Sequence, residues 1–322
     1  MISERRLLSL SVALACAALV AAGCGNYSNE DLEFMNALPE SSDLRANIPP
    51  RSSALEPADE AELARETHTV TTGFNGLLMA LVGIVDTVRS YPPTTRTPDG
   101  RIWGPFPADR AKMKNLDWQT RMIVSRHPGA ADQFDYEISV HHAPGADTDW
   151  PLFVSGWFQA GHTARRGVGH VELVTAAVRA EGLDVSDLGM LDHLEIDYDT
   201  LDDPITITMN VANLPDPSTP DPAGKVIYTY RANAEGQGEM TFDLFGQIVP
   251  GPASEDVRVV SQWLSTGAGR ATLTVVAGDG MGSQQMECWD RSFRATFNAK
   301  PWSTGEDVPG DPTVACPVIP TL

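Results

Sequence analysis

Seven histidines and one acidic run are the groups in this 322-residue chain whose spacing could encode chemistry. The histidines are His68, His127, His141, His142, His162, His170 and His193. His141 and His142 are neighbours on a segment that alternates as a strand does, so they point to opposite faces and cannot chelate together. His170 and Glu172 share a face, but two ligands do not complete a metal site. From Glu181 to Pro222 there are eleven acids and no Lys or Arg. Within this run Asp197, Asp199, Asp202 and Asp203 gather at a predicted strand end and turn. Calcium takes six to eight oxygens from such carboxylates. The spacing lacks the Asp-x-Asp-x-Asp-Gly loop, so the four stand as a calcium candidate beside the plainer reading of a solvated acidic face. There is no Gly-x-Ser-x-Gly, Ser-x-x-Lys, His-Glu-x-x-His or Walker loop. No catalytic residue is nominated. The chain is read as a non-enzyme without a cofactor.

Composition narrows the partners. The formal net charge is -20, which argues against nucleic acid, because phosphate binding needs a basic face. Charge is unevenly spread: from Arg89 to Arg126 eight bases face three acids, a local +5. The acidic run is expected either to be a solvated face or to lie opposite that basic segment.

The elements that must position these groups come next. One long helix is predicted over 58–90, opened by Ala58-Asp59-Glu60 and stopped by Pro92-Pro93. Its second half, from Gly73 to Val85, is apolar almost all round, so it is expected to be buried. Phe74, Leu77, Leu78, Leu81 and Val85 are its candidate lining residues for an apolar pocket. Residues 94–115 read as a basic loop interrupted by prolines. From about residue 116 the period becomes two, as in Phe134, Tyr136, Ile138 and Val140, or Ile205, Ile207, Met209 and Val211. Each such run is a half-buried antiparallel strand. Gly-x-Gly opens a strand at Gly167, Gly236, Gly267 and Gly280. The intervals are unequal, so this is hairpin chemistry and not a solenoid repeat. The predicted fold is mainly β: one antiparallel meander of nine to eleven strands, curved into a sheet or half-barrel, with the long helix packed on or in it.

The first residues follow a different logic. Arg5 and Arg6 precede an apolar run from Leu7 to Val20, too short to span a bilayer of ~30 Å. Small residues then end at Ala21-Ala22-Gly23-Cys24. This resembles the lipobox of bacterial lipoproteins, which implies a signal peptide at 1–23, cleavage before Cys24 and a diacylglycerol on its sulfur. Gly25 after the cysteine implies the outer membrane as destination. Two or more acyl chains give stable anchoring. Residues 24–57, polar and rich in proline, are expected to form a lipidated tether, with a short helix at Asp31 to Leu38 capped by Ser28. The globular domain is expected over 58–322. With Cys24 acylated, Cys288 and Cys316 remain as an even pair in an oxidising compartment and are expected to form a disulfide.

Three functions fit. The chain could be a structural or partner-binding envelope lipoprotein with a filled core. It could bind or carry an apolar ligand between helix and sheet, an outline similar to the LolA/LolB type of lipoprotein carrier, a half-barrel closed by helices. It could also be an enzyme, for which no residue set presents itself.

Overall fold

The computed structural model describes residues 27–51, 60–107, 118–142, 150–163, 165–183, 191–213, 225–246, 249, 254–303 and 308–322. Three helices come first: α1 (Asn29–Asn36), α2 (Ser41–Leu44) and α3 (Glu62–Arg89). Fourteen strands follow: β1 (Thr95–Thr97), β2 (Gly100–Pro107), β3 (Trp118–His127), β4 (Ala130–His142), β5 (Leu152–Ala160), β6 (Gly167–Val174), β7 (Leu191–Asp199), β8 (Ile205–Asn213), β9 (Lys225–Ala232), β10 (Gly238–Gly246), β11 (Glu255–Trp263), β12 (Gly269–Ala277), β13 (Gln284–Trp289) and β14 (Ala295–Ala299). A short α4 (Thr175–Ala180) links β6 to β7, and α5 (Pro312–Ala315) lies in the tail. Every strand pairs with the next in sequence, all antiparallel, and β1 does not pair with β14. The expected meander is therefore present, open and longer than read.

The surplus strands lie where alternation breaks. Residues 95–97 and 100–107 are β1 and β2, not loop. In β2 the register against β3 shifts between Trp103 and Phe106, with Gly104 at φ 96°. A bulge of this kind erases the period-two signal.

One face of the sheet is mainly apolar and largely buried. Met122, Val124, Ile138, Val140, Leu194, Ile196, Ile207, Met209, Met240 and Phe242 are all 0% exposed and belong to one contiguous core. Glycines at four inward positions make room for rings across the ladder. A Cβ at Gly156, Gly169, Gly238 or Gly269 would collide with Tyr136, Tyr198, Trp263 or Trp289 respectively. This is the role of the second glycine in three of the four Gly-x-Gly pairs. The first glycines of two of them, Gly236 and Gly267, take positive φ in the preceding turns.

The long helix α3 crosses this face. Its first turn meets β13, where Glu287 accepts from the Glu62 and Leu63 amides. Thr67 bonds Ser261 on β11 at 2.7 Å, and Phe74 meets the Tyr228 ring of β9 edge-on. Beyond its last turn, Tyr91 accepts from the Trp103 indole of β2. A flat sheet of fourteen strands would be about 60 Å wide and α3, with 28 residues, is about 42 Å long, so the helix lies across the strands and meets them in turn from β13 to β2. The helix is not buried all round: Thr69, Thr72, Gly73, Gly76, Met79 and Ala80 form an exposed stripe.

The stretch expected to be a tether is largely part of the folded body. Phe34, Ala37, Leu38, Leu44 and Ala46 are no more than 2% exposed and join the same core. Fully burying each large apolar side chain gains about 1.5–3 kcal/mol, enough to hold a segment that looks like a spacer in composition. The Asn75 amide clips this segment to α3, accepting from Ala46 N–H and donating to Ala46 C=O, both at 2.9 Å. Residues 24–26 and 52–57 of the expected tether, and the expected signal peptide, lie outside the described residues.

Cys288 and Cys316 form the expected disulfide, with Cα atoms 5.2 Å apart and a separation of 28 residues. It fastens the proline-rich tail to β13. Cross-linking a loop of that size gains roughly 3–4 kcal/mol in the chain-entropy view. Reduction, or a Cys288→Ala/Cys316→Ala double substitution, is expected to lower unfolding free energy by about that amount. Urea denaturation with and without reductant measures it; a loss under 1 kcal/mol would show that the tail is held by packing alone.

Candidate functional site

A recess among the described residues begins with the docking of α1. Ser28 accepts from the Asp31 N–H at 3.1 Å, and Asp31 accepts from the Ser28 N–H at 2.8 Å, the expected capping box. Asp31 also binds two arginines, Arg101 Nε at 2.6 Å and Arg96 Nε at 3.1 Å. Asp31 and Arg101 are both buried, at 0% and 1% exposure. Burial pushes the Asp31 carboxyl up, but the Ser28 amide and the two guanidinium groups outweigh it and hold the pKa at about 2. The Arg101 guanidinium lies 4.6 Å from the Phe34 ring centroid, and that ring meets Phe134 edge-on. Arg126 covers both rings and bonds Glu33 at 2.7 Å.

Arg89 also pairs with Glu40, at 2.9 Å, and with Asp86 at 2.7 Å. Among the described residues Arg89, Arg96, Arg101 and Arg126 thus pair with acids at 30–40 and at 86, and Arg121 lies over the Trp150 ring; Asp184, Asp187, Asp216 and Asp221 of the acidic run lie outside the described residues. Arg110, Lys112 and Lys114 lie outside the described residues.

Beside α1 a cleft of about 440 Å³ opens between the helix, the start of β4 and the β5–β6 hairpin. Its floor is apolar: Ala37, Phe134, Phe158 and Ala160. Its rim carries Glu33, Asp132, His162 and Arg165. Arg165 holds φ 63° and pairs with Glu40 and Asp43, bridging the hairpin to α2. The Arg165 hydrogen bond, ahead of its opposing burial, lowers the Glu40 pKa. An apolar floor with a few charged groups at this volume is the usual make-up of a binding cleft.

The residues nominated from sequence are placed differently. Phe74, Leu78, Leu81 and Val85 are 0–1% exposed inside the common core, and Leu77 packs partly buried against it. None of the five lines the cleft or a second hollow of about 360 Å³ over Gly156 on the outer face. The four calcium candidates do not converge. Asp197 pairs with His170 at 2.8 Å, Asp199 accepts from the Leu201 N–H, and Asp203 accepts from the Ala234 N–H on another hairpin. The oxygens of these three serve separate local bonds, because strand end and turn point them apart. Among the described residues, Glu172, His193 and Glu195 are brought within mutual ligand distance instead. Cys24 lies outside the described residues, three positions before Tyr27. The cleft residues had no sequence signal beyond the α1 capping box, since α1 lies more than 90 residues before the strands that complete the cleft.

Fold and site define a class: an open antiparallel meander packed against N-terminal helices, with a cleft at the rim where the chain enters. Comparison with protein-family models, curated proteins and solved structures finds no match.

Proposed function

We propose that the chain is a lipid-anchored outer-membrane envelope protein that acts by binding a protein partner at the α1 cleft, without catalysis. The observation that carries this reading is the position of Tyr27. Its hydroxyl donates to Ser90 C=O at the end of α3, at 2.9 Å, and α1 begins two residues later. Three residues span at most ~10 Å. An acyl group on Cys24 therefore holds the α1 rim close to the bilayer, with no long spacer, and the cleft opens on that rim. A core filled by α1 and α3 favours a partner over a ligand enclosed between helix and sheet. The apolar floor of Phe134 and Phe158 supports a second reading, an apolar chain seated in the cleft.

Two measurements test this. Cys24→Ser is expected to abolish acylation and release the protein from membranes, read by intact mass and fractionation; an unmodified Cys24 in the native protein would refute the anchor. A photo-crosslinking residue at His162 is expected to capture a protein, and Ala160→Trp, which fills the cleft, to abolish capture. A lipid adduct would favour the second reading. Capture unaffected by Ala160→Trp would remove the cleft from both.

A further inference from the structure

The outer face of the sheet carries a separate arrangement, independent of the proposal above. Two adjacent cross-strand rows run over β4–β8. One places Glu137, Ser155, Glu172, Glu195 and Asn210 side by side; the next places Asp135, Trp157, His170, Asp197 and Thr208. Neither row contains a Lys or Arg. Glu172 and Glu195 stand directly opposite each other, and like charges in that position are destabilising unless something neutralises them.

His193, two residues before Glu195 on the same face, lies between them. Its Nε2 is 2.9 Å from Glu172 Oε1 and 3.7 Å from Glu195 Oε1. The outer carboxylate oxygens are held from the sides. Glu172 Oε2 accepts from Ser155 Oγ at 3.4 Å, and Glu195 Oε2 accepts from Asn210 Nδ2 at 3.3 Å. Each Oε1 is thereby aimed at the imidazole. All three potential ligand atoms lie within 4.8 Å of one another, and all three side chains are half-buried. Metal–ligand bonds of 2.0–2.2 Å at right or tetrahedral angles separate ligand atoms by about 3–3.6 Å, so a small ion fits among them with minor side-chain rotation.

We propose that Glu172, His193 and Glu195 form a divalent-metal site of the zinc class. Two carboxylates balance a 2+ ion, and the imidazole binds as its neutral form, giving up any proton it carries. The mixed nitrogen and oxygen set suits a first-row ion such as Zn²⁺ over Ca²⁺, which prefers oxygen ligands alone. Ser155 and Asn210 play the part of outer hydrogen-bond partners that fix ligand orientation. Three protein ligands on an exposed face leave the remaining positions to water or to a group from outside.

Co²⁺ added to the full chain is expected to bind one to one, with visible absorption bands that Zn²⁺ removes. A Glu172→Gln/Glu195→Gln variant should weaken binding at least ten-fold, and so should His193→Gln. His127→Gln removes a comparable histidine, paired with Asp135 at 2.7 Å, and should leave binding unchanged. Thermal unfolding of each variant without metal checks that the fold persists. If a variant fails to fold, Zn²⁺-induced shifts of the His193 imidazole resonances in the unaltered protein, against those of His127, decide the matter. No stoichiometric binding, binding untouched by these substitutions, shifts confined to other histidines, or preference for Ca²⁺ over Zn²⁺ would each overturn the proposal.

Discussion

Replacing Asp31 by alanine is expected to cost the protein about 3–5 kcal/mol, the loss typical of breaking a buried ion pair from one side. The substitution leaves Arg101, 1% exposed, with Thr97 C=O, Gly100 C=O and the surface carboxylate of Glu30 as its remaining partners. It also removes half of the α1 capping box. A double variant, Asp31→Ala with Arg101→Met, should recover much of the loss, because an apolar replacement no longer strands a charge. An exposed pair such as Arg258–Asp243 should cost under about 1 kcal/mol when broken. Urea denaturation gives the three numbers, and faster proteolysis before Ala46 would show that α1 undocks. The pH dependence follows from the same bonds. The folded pKa of about 2 lies below the usual aspartate value. The stabilisation is therefore complete above about pH 4 and is lost as pH falls from 4 towards 2. Asp31→Asn should flatten that acid limb. A cost below 1 kcal/mol for Asp31→Ala would mean that α1 is held by Phe34 and Leu38 alone.

How much of this was legible in the sequence depends on how far apart the partners lie. The Ser28–Asp31 cap spans three residues and was readable. So was the pairing of Cys288 with Cys316, once Cys24 was set aside as the expected acylation site. The period-two strands were readable wherever the ladder is regular, and β2 was not, because its bulge breaks the alternation. The docking of residues 29–46 was hidden by composition: prolines and acids read as a spacer, and only Phe34, Leu38 and Leu44 supply large buried side chains. The basic segment was visible as a charge excess, but its counterpart was misplaced. A meander puts β1–β4 beside the chain entry and sets β7 and β8 several strands away, an ordering that net charge does not encode. The Glu172–His193–Glu195 group needed the β6–β7 register. A shift of one residue on β7 would have turned His193 and Glu195 inward.

The start of α3 was the hardest feature to foresee, and it carries the second large prediction. Its N-cap is Ala61, which has no side chain to cap with. The cap comes from Glu287 on β13, whose carboxylate accepts from Glu62 N–H at 2.9 Å and Leu63 N–H at 2.5 Å. Nothing near Ala61 in sequence announces it. Burial raises the Glu287 pKa, the two amides lower it in part, and the nearby Glu62 carboxylate raises it again, to about 7. Glu62 is itself partnered by Lys300 at 3.0 Å and by Gln285. A folded pKa above the unfolded value means that the stability contribution is complete below about pH 4.5 and is lost as pH rises through 7. A shift of this size corresponds to about 3 kcal/mol. Glu287→Gln cannot ionise, but it keeps an acceptor for only one of the two amides and turns its NH2 toward the other, so it is expected to start about 1–3 kcal/mol below the unaltered protein at pH 4.5 and to gain about 3 kcal/mol on it by pH 8. Glu287→Ala should lose about 1–3 kcal/mol for each amide left buried without a partner at pH 4.5, a deeper loss than that of Glu287→Gln, and should narrow the gap by the same amount by pH 8 because it too lacks the titrating group. Unfolding midpoints across that range separate the two. A pH-independent difference between the unaltered protein and Glu287→Gln would mean that the first-turn amides stabilise the ionised carboxylate fully. The helix would then be locked to β13 equally well on either side of neutrality.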